Sequence, residues 1–319
     1  MRREQSFIPP VAYIAPWTKL MVVSAAFFKG PWLTPFEVDD TGKGRFYALQ
    51  YSDEYESAGH GSYGASQGGR DGSGGGRSEP KLHLVPQIVD MMQVNLSMFD
   101  LFYAREDERV TAVGLPYADT EVVMYLVQPK DTKNLEKLMR IQDGEPAPDD
   151  FPTFDQVVRS MREERQETRN VEARVTLPKF ALKAADNTHD MVPIFQLLLQ
   201  IEAPFTPHVA DFSGISRGTP MSLSRFLHQA EIRLDEAGTV AAAATYASIQ
   251  ADSAVRVKHV NLTFDRPFVF QVRYHPRQEA VAHGRGTPSE EGAAAPDEAL
   301  LGDYIIFSGC LTDALAAQQ

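Results

Sequence analysis

Residues 20–28, Leu-Met-Val-Val-Ser-Ala-Ala-Phe-Phe, form an uncharged apolar run that Lys29-Gly30-Pro31 closes. A run of this length between such flanks predicts a strand buried on both faces, while its periodicity alone leaves a short helix open. Shorter strand-like pieces recur at 112–117 (Ala-Val-Gly-Leu-Pro-Tyr), 121–127 (Glu-Val-Val-Met-Tyr-Leu-Val), 173–177 and 268–272. Apolar residues fall at helical spacing over 154–169 and 191–201. Strands and helices do not alternate regularly, which argues against a doubly wound parallel sheet. The pattern predicts an α+β fold with large antiparallel or mixed sheets, and it contains no internal repeat.

Over 52–80 and again over 276–302 the pattern stops, and Gly, Ser, Pro, Ala and charged residues take over. Such stretches bury too little apolar area to offset their ordering entropy, so both are expected to be flexible insertions. The chain as a whole has 319 residues, 43% of them hydrophobic, enough for a sizeable core. Its 31 Lys and Arg against 43 Asp and Glu give a net charge of −12, which argues against a nucleic-acid or anionic-membrane partner. Cys310 stands alone, so an intrachain disulfide framework and a multi-cysteine metal site are excluded. The compartment stays open, because large secreted domains often need no disulfide. No segment approaches the roughly 18 uninterrupted apolar residues that span a bilayer. Residues 1–10 hold two arginines but no long apolar stretch, and Pro9, Pro10 and Pro16 break any signal-peptide helix. No signal peptide is expected in this chain.

Catalytic chemistry has no nominee. The histidines at 60, 83, 189, 208, 228, 259, 275 and 283 never take up metal-ligand spacing such as His-Glu-x-x-His. A Gly-x-Ser-x-Gly elbow, a phosphate-cradling loop and a dinucleotide fingerprint are all missing. The sequence therefore reads as a non-enzyme that calls for no cofactor and no metal.

The most unusual segment is 225–250. A strand-like half ends at Asp235-Glu236, Gly238 follows, and then come the small residues 241–244 and Thr245. One reading is an alanine-rich helix, since Ala is the best helix former. The other is a mobile stretch that slips into a crowded sheet. No charge appears between Gly238 and Asp252, so an alanine helix here would lack a solvated face.

At this point the chain resembles the serpin family, through matches that run in order over most of its length. Leu20 to Gly30 with Trp32 is similar to the family's Leu-Val-x-x-Asn-Ala-x-x-Phe-Lys-Gly-x-Trp strand. Gly114-Leu115-Pro116-Tyr117 with 123–129 resembles its Leu-Pro-Tyr block, and Leu177-Pro178-Lys179-Phe180 its Leu-Pro-Lys-Phe strand. Ala210-Asp211-Phe212-Ser213-Gly214-Ile215, the hinge-like Glu236-x-Gly238-Thr239-x-Ala241-Ala242-Ala243, and Asp265-Arg266-Pro267-Phe268 complete the set.

The resemblance implies an inhibitor of serine proteases. A protease cleaves an exposed reactive loop, is trapped as an acyl-enzyme, and is distorted when the hinge side of the loop inserts into the main sheet. The implied hinge is Glu236, Gly238, Thr239, Ala241, Ala242, Ala243 and Thr245. Thr239, Ala241, Ala243 and Thr245 share a period of two, so on an inserted strand they point to one face. The resemblance also assigns control of sheet opening to Ser24, Trp32, Lys179 and His228. Lys179 and Glu236 stand where relatives carry a pair. Ser24 stands where relatives carry Asn, and it offers one hydroxyl in place of an amide.

The implied scissile bond lies among Ala251, Asp252, Ser253, Arg256 and Val257. Counting forward from Gly238 gives Asp252-Ser253; counting back from Pro267 gives Arg256-Val257, whose arginine suits a trypsin-like protease. The implied partner is thus a serine protease, of trypsin type where the bond is Arg256-Val257, met by a monomer that contacts neither nucleic acid nor membrane. The family also implies an extracellular setting, where the sequons at Asn95 and Asn261 are glycosylation candidates. Residues 1–319 then read as a single serpin-like domain in which the family's N-terminal helical part is missing. That gap keeps a non-inhibitory homologue, a binding or carrier module or a protease substrate, as the alternative.

Overall fold

In the computed structural model, which describes residues 18–52, 81–139, 151–164, 171–183, 188–217, 219–239, 257–276 and 303–318, the apolar run at 20–28 is a strand. In chain order the strands begin with β1 (Leu20–Phe28), β2 (Gly30–Pro31), β3 (Gly42–Ser52), β4 (Lys81–Leu96), β5 (Tyr103–Glu106), β6 (Val110–Pro116) and β7 (Val122–Pro129). Helices α1 (Leu135–Met139) and α2 (Phe154–Glu163) follow, then β8 (Val171–Pro178), β9 (Phe180–Leu182), β10 (Thr188–Asp190) and α3 (Val192–Leu197). The chain continues with β11 (Leu223–Leu234), β12 (Gly238–Thr239), β13 (Lys258–Thr263), β14 (Phe268–Tyr274) and β15 (Tyr304–Leu311). The predicted insertions at 52–80 and 276–302 lie, but for Ser52 and Pro276, outside the described residues.

The strands form three main sheets. One is mixed and ordered β1-β11-β10, with β9 also paired to β11. The second is β13-β8-β4-β3 and the third β15-β14-β7-β6-β5. The third is antiparallel throughout, and its central strands explain the unbroken apolar runs near 112 and 122. On β7, Met124 and Leu126 face one apolar cluster while Val123, Tyr125 and Val127 face another. A strand covered on both faces needs apolar residues at every position, not at alternate ones.

The first cluster joins all three sheets. Phe46, Met92, Leu177, Phe264, Phe268 and Phe270 are buried there together with Ile232 and Leu234 of β11. The second lies between the five-stranded sheet and α2. Phe154, Val157, Val158 and Met161 recur at i, i+3, i+4 and i+7 and supply the helix face of that layer. Thr153 caps the helix: its hydroxyl accepts from Gln156 N (3.3 Å) and Gln156 Oε1 accepts from Thr153 N (2.9 Å). This reciprocal arrangement satisfies two otherwise orphaned donors.

Two expectations need correction. β1 is a strand, but it is not buried on both faces: Val23 is 42% exposed and Val22 and Phe27 are exposed as well. Among the described residues β1 pairs only with β11, so its apolar run reports strand propensity, and from it only the half-buried Ala26 and Phe28 pack against the core. The helix expected over 191–201 ends at Leu197, which is 79% exposed, and Gln200 turns the chain with φ 54°. Helical spacing there reflects a plain leucine run, not an amphipathic face.

A core test follows from the shared cluster. Leu177→Ala removes a fully buried side chain and should cost about 2–5 kcal/mol in urea unfolding. Val38→Ala, at a position 70% exposed, should stay within about 0.5 kcal/mol.

Candidate functional site

After β11 the chain reverses over residues 235–238, and this reversal is fastened from several sides. Asp235 N donates to Gly238 O (3.0 Å), Gly238 N to Asp235 O (3.2 Å), and Ala237 N to the Asp235 carboxylate (3.1 Å). Gly238 has φ 129°, and a Cβ placed there would sit 2.4 Å from Gly30 O. Only glycine fits both the conformation and the approach. β12 then pairs antiparallel with β2, Gly238 opposite Pro31 and Thr239 opposite Gly30.

Residues 30–36 hold the reversal from the other side. Trp32 N donates to Ala237 O (3.1 Å) and Phe36 N to Glu236 O (2.8 Å). The Trp32 indole N–H donates to Asp235 O at 3.1 Å. Its ring is buried and stacks on Tyr117 at 4.5 Å, with Phe28 edge-on to the same tyrosine at 4.9 Å. Trp32 therefore ties the end of the mixed sheet to the segment that follows β6, using both its ring and its one polar atom.

Glu236 is only 8% exposed. Its carboxylate accepts from Lys179 Nζ (2.8 Å) and from Thr41 Oγ1 (2.7 Å). Burial pushes this carboxyl up, but the bonds from Lys179 and Thr41 outweigh burial and hold it below its ordinary value. Lys179 follows β8 and Thr41 immediately precedes β3, so the grip joins the reversal to two strands of the β13-β8-β4-β3 sheet. Thr41 was not legible in the sequence: a threonine before a glycine offers no sign of a partner 195 residues away.

Below the reversal, β1 and β11 run parallel and directly paired, from Leu20 opposite Leu223 to Phe28 opposite Ile232. Ser24 lies opposite His228, and Ser24 Oγ is 3.3 Å from His228 Nδ1. His189 of β10 lies opposite His228 on the other side, so Ser24, His228 and His189 form one row across the sheet. The structure thus brings Ser24 to His228, and Trp32, Lys179 and Gly238 to the turn around Glu236.

Ala241, Ala242, Ala243, Thr245, Ala251, Asp252, Ser253 and Arg256 lie outside the described residues. Val257 is half-buried just before β13. Asn95 and Asn261 are exposed, and both lie opposite Arg174 from the strands that flank β8. With Ser97, Glu172 and His259 they line a shallow cavity of 240 Å³. Among the described residues no group of three or more His, Cys, Asp or Glu could hold a metal ion. Burial pushes the Cys310 thiol up to about 11, away from thiolate chemistry.

Residues 86–287 match the protein-family model described as Serpin (serine protease inhibitor), which is more than half of the chain. The chain belongs to the serpin family. Among similar proteins, human Serpin B13 is 25% identical over 276 residues, covering 86% of this chain and 57% of its own length. Iris from the tick Ixodes ricinus is 28% identical over 261 residues, covering 81% of this chain and 54% of its own length. A solved serpin from Schistosoma mansoni superposes with a TM-score of 0.51 at 19% identity, over 82% of this chain and 54% of its own. That likeness supports the fold. This serpin thus spans about half the length of the curated relatives it matches.

The grip on Glu236 has a pH signature. A depressed carboxyl contributes stability that is fully present above its ordinary value of 4.5 and is lost as pH falls through the folded value. Thr41→Val, which removes one donor, should lower stability by about 1 kcal/mol at neutral pH. The gap between the two proteins should narrow as urea unfolding is repeated at progressively lower pH.

Proposed function

We propose that this serpin inhibits a serine protease through cleavage of a loop that follows Thr239 and insertion of its hinge side between β1 and β11. The observation that carries this reading is the position of the 235–238 reversal at the end of a directly paired parallel seam. A chain that leaves β11 through this reversal and returns runs antiparallel to β11, and therefore antiparallel to β1. One parallel ladder would be exchanged for two antiparallel ones, which are slightly more favourable per residue. Thr239, Ala241, Ala243 and Thr245 would face one side of the inserted strand, and their small size suits a position between two packed neighbours.

In the chemistry proposed, the protease serine attacks the scissile carbonyl, an ester forms, and the amine of the C-terminal piece leaves. Insertion then carries the acyl-enzyme away before water reaches the ester. Cleavage falls within 251–257, at Asp252-Ser253 or at Arg256-Val257, and the second bond suits a trypsin-like enzyme. The protein acts extracellularly as a monomer, with Asn95 and Asn261 open to glycosylation. Its net charge of −12 turns it away from nucleic acid and anionic membrane. No helix of the described residues is long and apolar enough to cross a membrane.

A second reading is a non-inhibitory homologue that binds, carries or is merely cut. It is favoured by the exposed apolar face of β1, since an inserting strand gains most where its neighbours are packed from both sides. Incubation with a panel of trypsin-like proteases separates the two. The inhibitor gives a covalent band of combined mass on a denaturing gel, and its cleaved form melts at a higher temperature. Plain cleavage without either effect establishes the second reading instead. Ala243→Glu places a charge on the inserting face, where burial is costly, and should convert complex formation into plain cleavage. An unchanged yield of complex would overturn the hinge assignment.

A further inference from the structure

The connection between β14 and β15 is bracketed by His275 and Asp303, and the two side chains meet. His275 Nδ1 lies 2.6 Å from Asp303 Oδ1, and His275 Nε2 lies 3.0 Å from the Tyr125 hydroxyl. Asp303 is also gripped by Arg162 of α2, whose Nη1 donates to both carboxylate oxygens at 2.7 and 2.9 Å. Arg273 stands behind it, 3.9 Å from Asp303, bonded to Asp155 and Gln271 and lying over the Phe154 ring at 5.3 Å. The backbone N–H of His275 donates to Glu121 O (2.7 Å). Three elements of the five-stranded sheet and the helix packed on it therefore converge on one imidazole.

We propose that Tyr125, His275, Asp303 and Arg162 form an acid-sensitive clasp that holds the two ends of the β14–β15 connection together and fastens them to α2. The reason lies in hydrogen-bond polarity. A carboxylate only accepts, so Asp303 takes the Nδ1 proton of His275. Nε2 is then the lone-pair side and accepts from the Tyr125 hydroxyl. Protonation of Nε2 turns that acceptor into a donor and removes the Tyr125–His275 bond as built. It also places a third positive charge beside the guanidiniums of Arg162 and Arg273.

The surrounding charges agree with this assignment. Facing the imidazole are Tyr125 from β7, with Tyr103 of β5 behind it, and Arg162 from α2, while Asp155 of the same helix bonds to Arg273. Arg273 of β14 and Asp303 complete the shell, and Glu121 faces it through its carbonyl. Burial lowers the His275 value most, and the two arginines lower it further, against the raising effect of Asp303. A histidine held neutral in the fold gives stability that is complete above the ordinary imidazole value and is lost as pH falls below it.

The local geometry says where opening would begin. β14 and β15 shift register between Val272 and Arg273, leaving a short terminal ladder of Arg273 opposite Ile305 and Tyr274 opposite Tyr304. Beyond that irregularity the clasp joins the Tyr274–Tyr304 ring contact in tying the two strands together at the loop end of the hairpin. A long connection adds only slowly to closure entropy, but its ends still need a fixed anchor for the last pairs to form.

The test uses the full chain. NMR titration of the imidazole signals should place His275 below the ordinary value of about 6.5. Amide exchange should show a several-fold loss of protection in the Arg273–Ile305 and Tyr274–Tyr304 pairs between about pH 7.5 and about pH 5.5. The opposite end, Phe268 with Leu311, should not change. In His275→Gln, which keeps one donor and one acceptor but does not titrate, the loss should vanish. The proposal is overturned if His275 titrates at or above the ordinary value, or if the loss persists in the variant. Should that variant fail to fold, the titration on the unmodified protein decides alone.

Discussion

The parallel pairing of β1 with β11 is the constraint that organises the chain. Two parallel neighbours cannot be joined by a tight turn, so the polypeptide must leave the end of β1 and return to the start of β11 by a crossover. Here that crossover runs from Lys29 to Ser222 and contains most of the other two sheets. The core that joins all three sheets is a consequence: Ile232 and Leu234 of β11 reach the same cluster as Phe46, Leu177 and Phe270. Trp32 sits where the crossover begins, and the reversal at 235–238 sits where it has been completed. Their mutual hydrogen bonds close the circuit, so a short stretch of backbone registers both ends of the longest excursion in the fold.

Two half-buried polar clusters hang on this frame, and they resolve the same conflict in opposite ways. At Glu236, burial opposes the charged form, but Lys179 and Thr41 both donate to it and the charge prevails. At His275, Asp303 favours the charged form, but burial and two guanidiniums oppose it and the neutral form prevails. The difference lies in the partners: Glu236 has only donors and a cation, while His275 has one anion already occupied by arginine. Both clusters bridge elements far apart in sequence, and both lie at ends of strands, where the backbone ladder no longer fixes position.

The sequence patterns that proved legible were those with local causes. Uninterrupted apolar runs marked β6 and β7 because both faces of those strands are covered, and the spacing of Phe154, Val157, Val158 and Met161 marked α2. β1 was legible as a strand but not in its exposure, because identical apolar runs occur in strands covered on one side or two. The leucines at 197–199 suggest a longer helix by composition, yet all three are exposed and the helix stops at Leu197. Around the hinge, Gly238 came through family resemblance, as did Ser24, Trp32, Lys179 and His228. Thr41 and the His275 cluster did not, since each acquires its meaning from residues that the fold brings together across more than a hundred positions.

The geometry of the hinge also bears on why the residue at position 24 matters to the proposed insertion. To admit a strand, the β1–β11 ladder must part along its length, and Ser24 and His228 lie near its middle. A serine reaches His228 with a single hydroxyl at 3.3 Å, whereas an amide at that position would offer both a donor and an acceptor. The side-chain contribution to keeping this seam shut is therefore small at its centre. Beyond the backbone ladder, the side-chain restraint gathers instead at its end, where Trp32 and the Lys179–Glu236–Thr41 grip converge around Gly238. A seam held weakly in the middle and firmly at one end would open from that end only when the grip is released. Under the proposed insertion the hinge would enter at that same end, so the residues that restrain the loop and those that would receive it first would belong to one cluster.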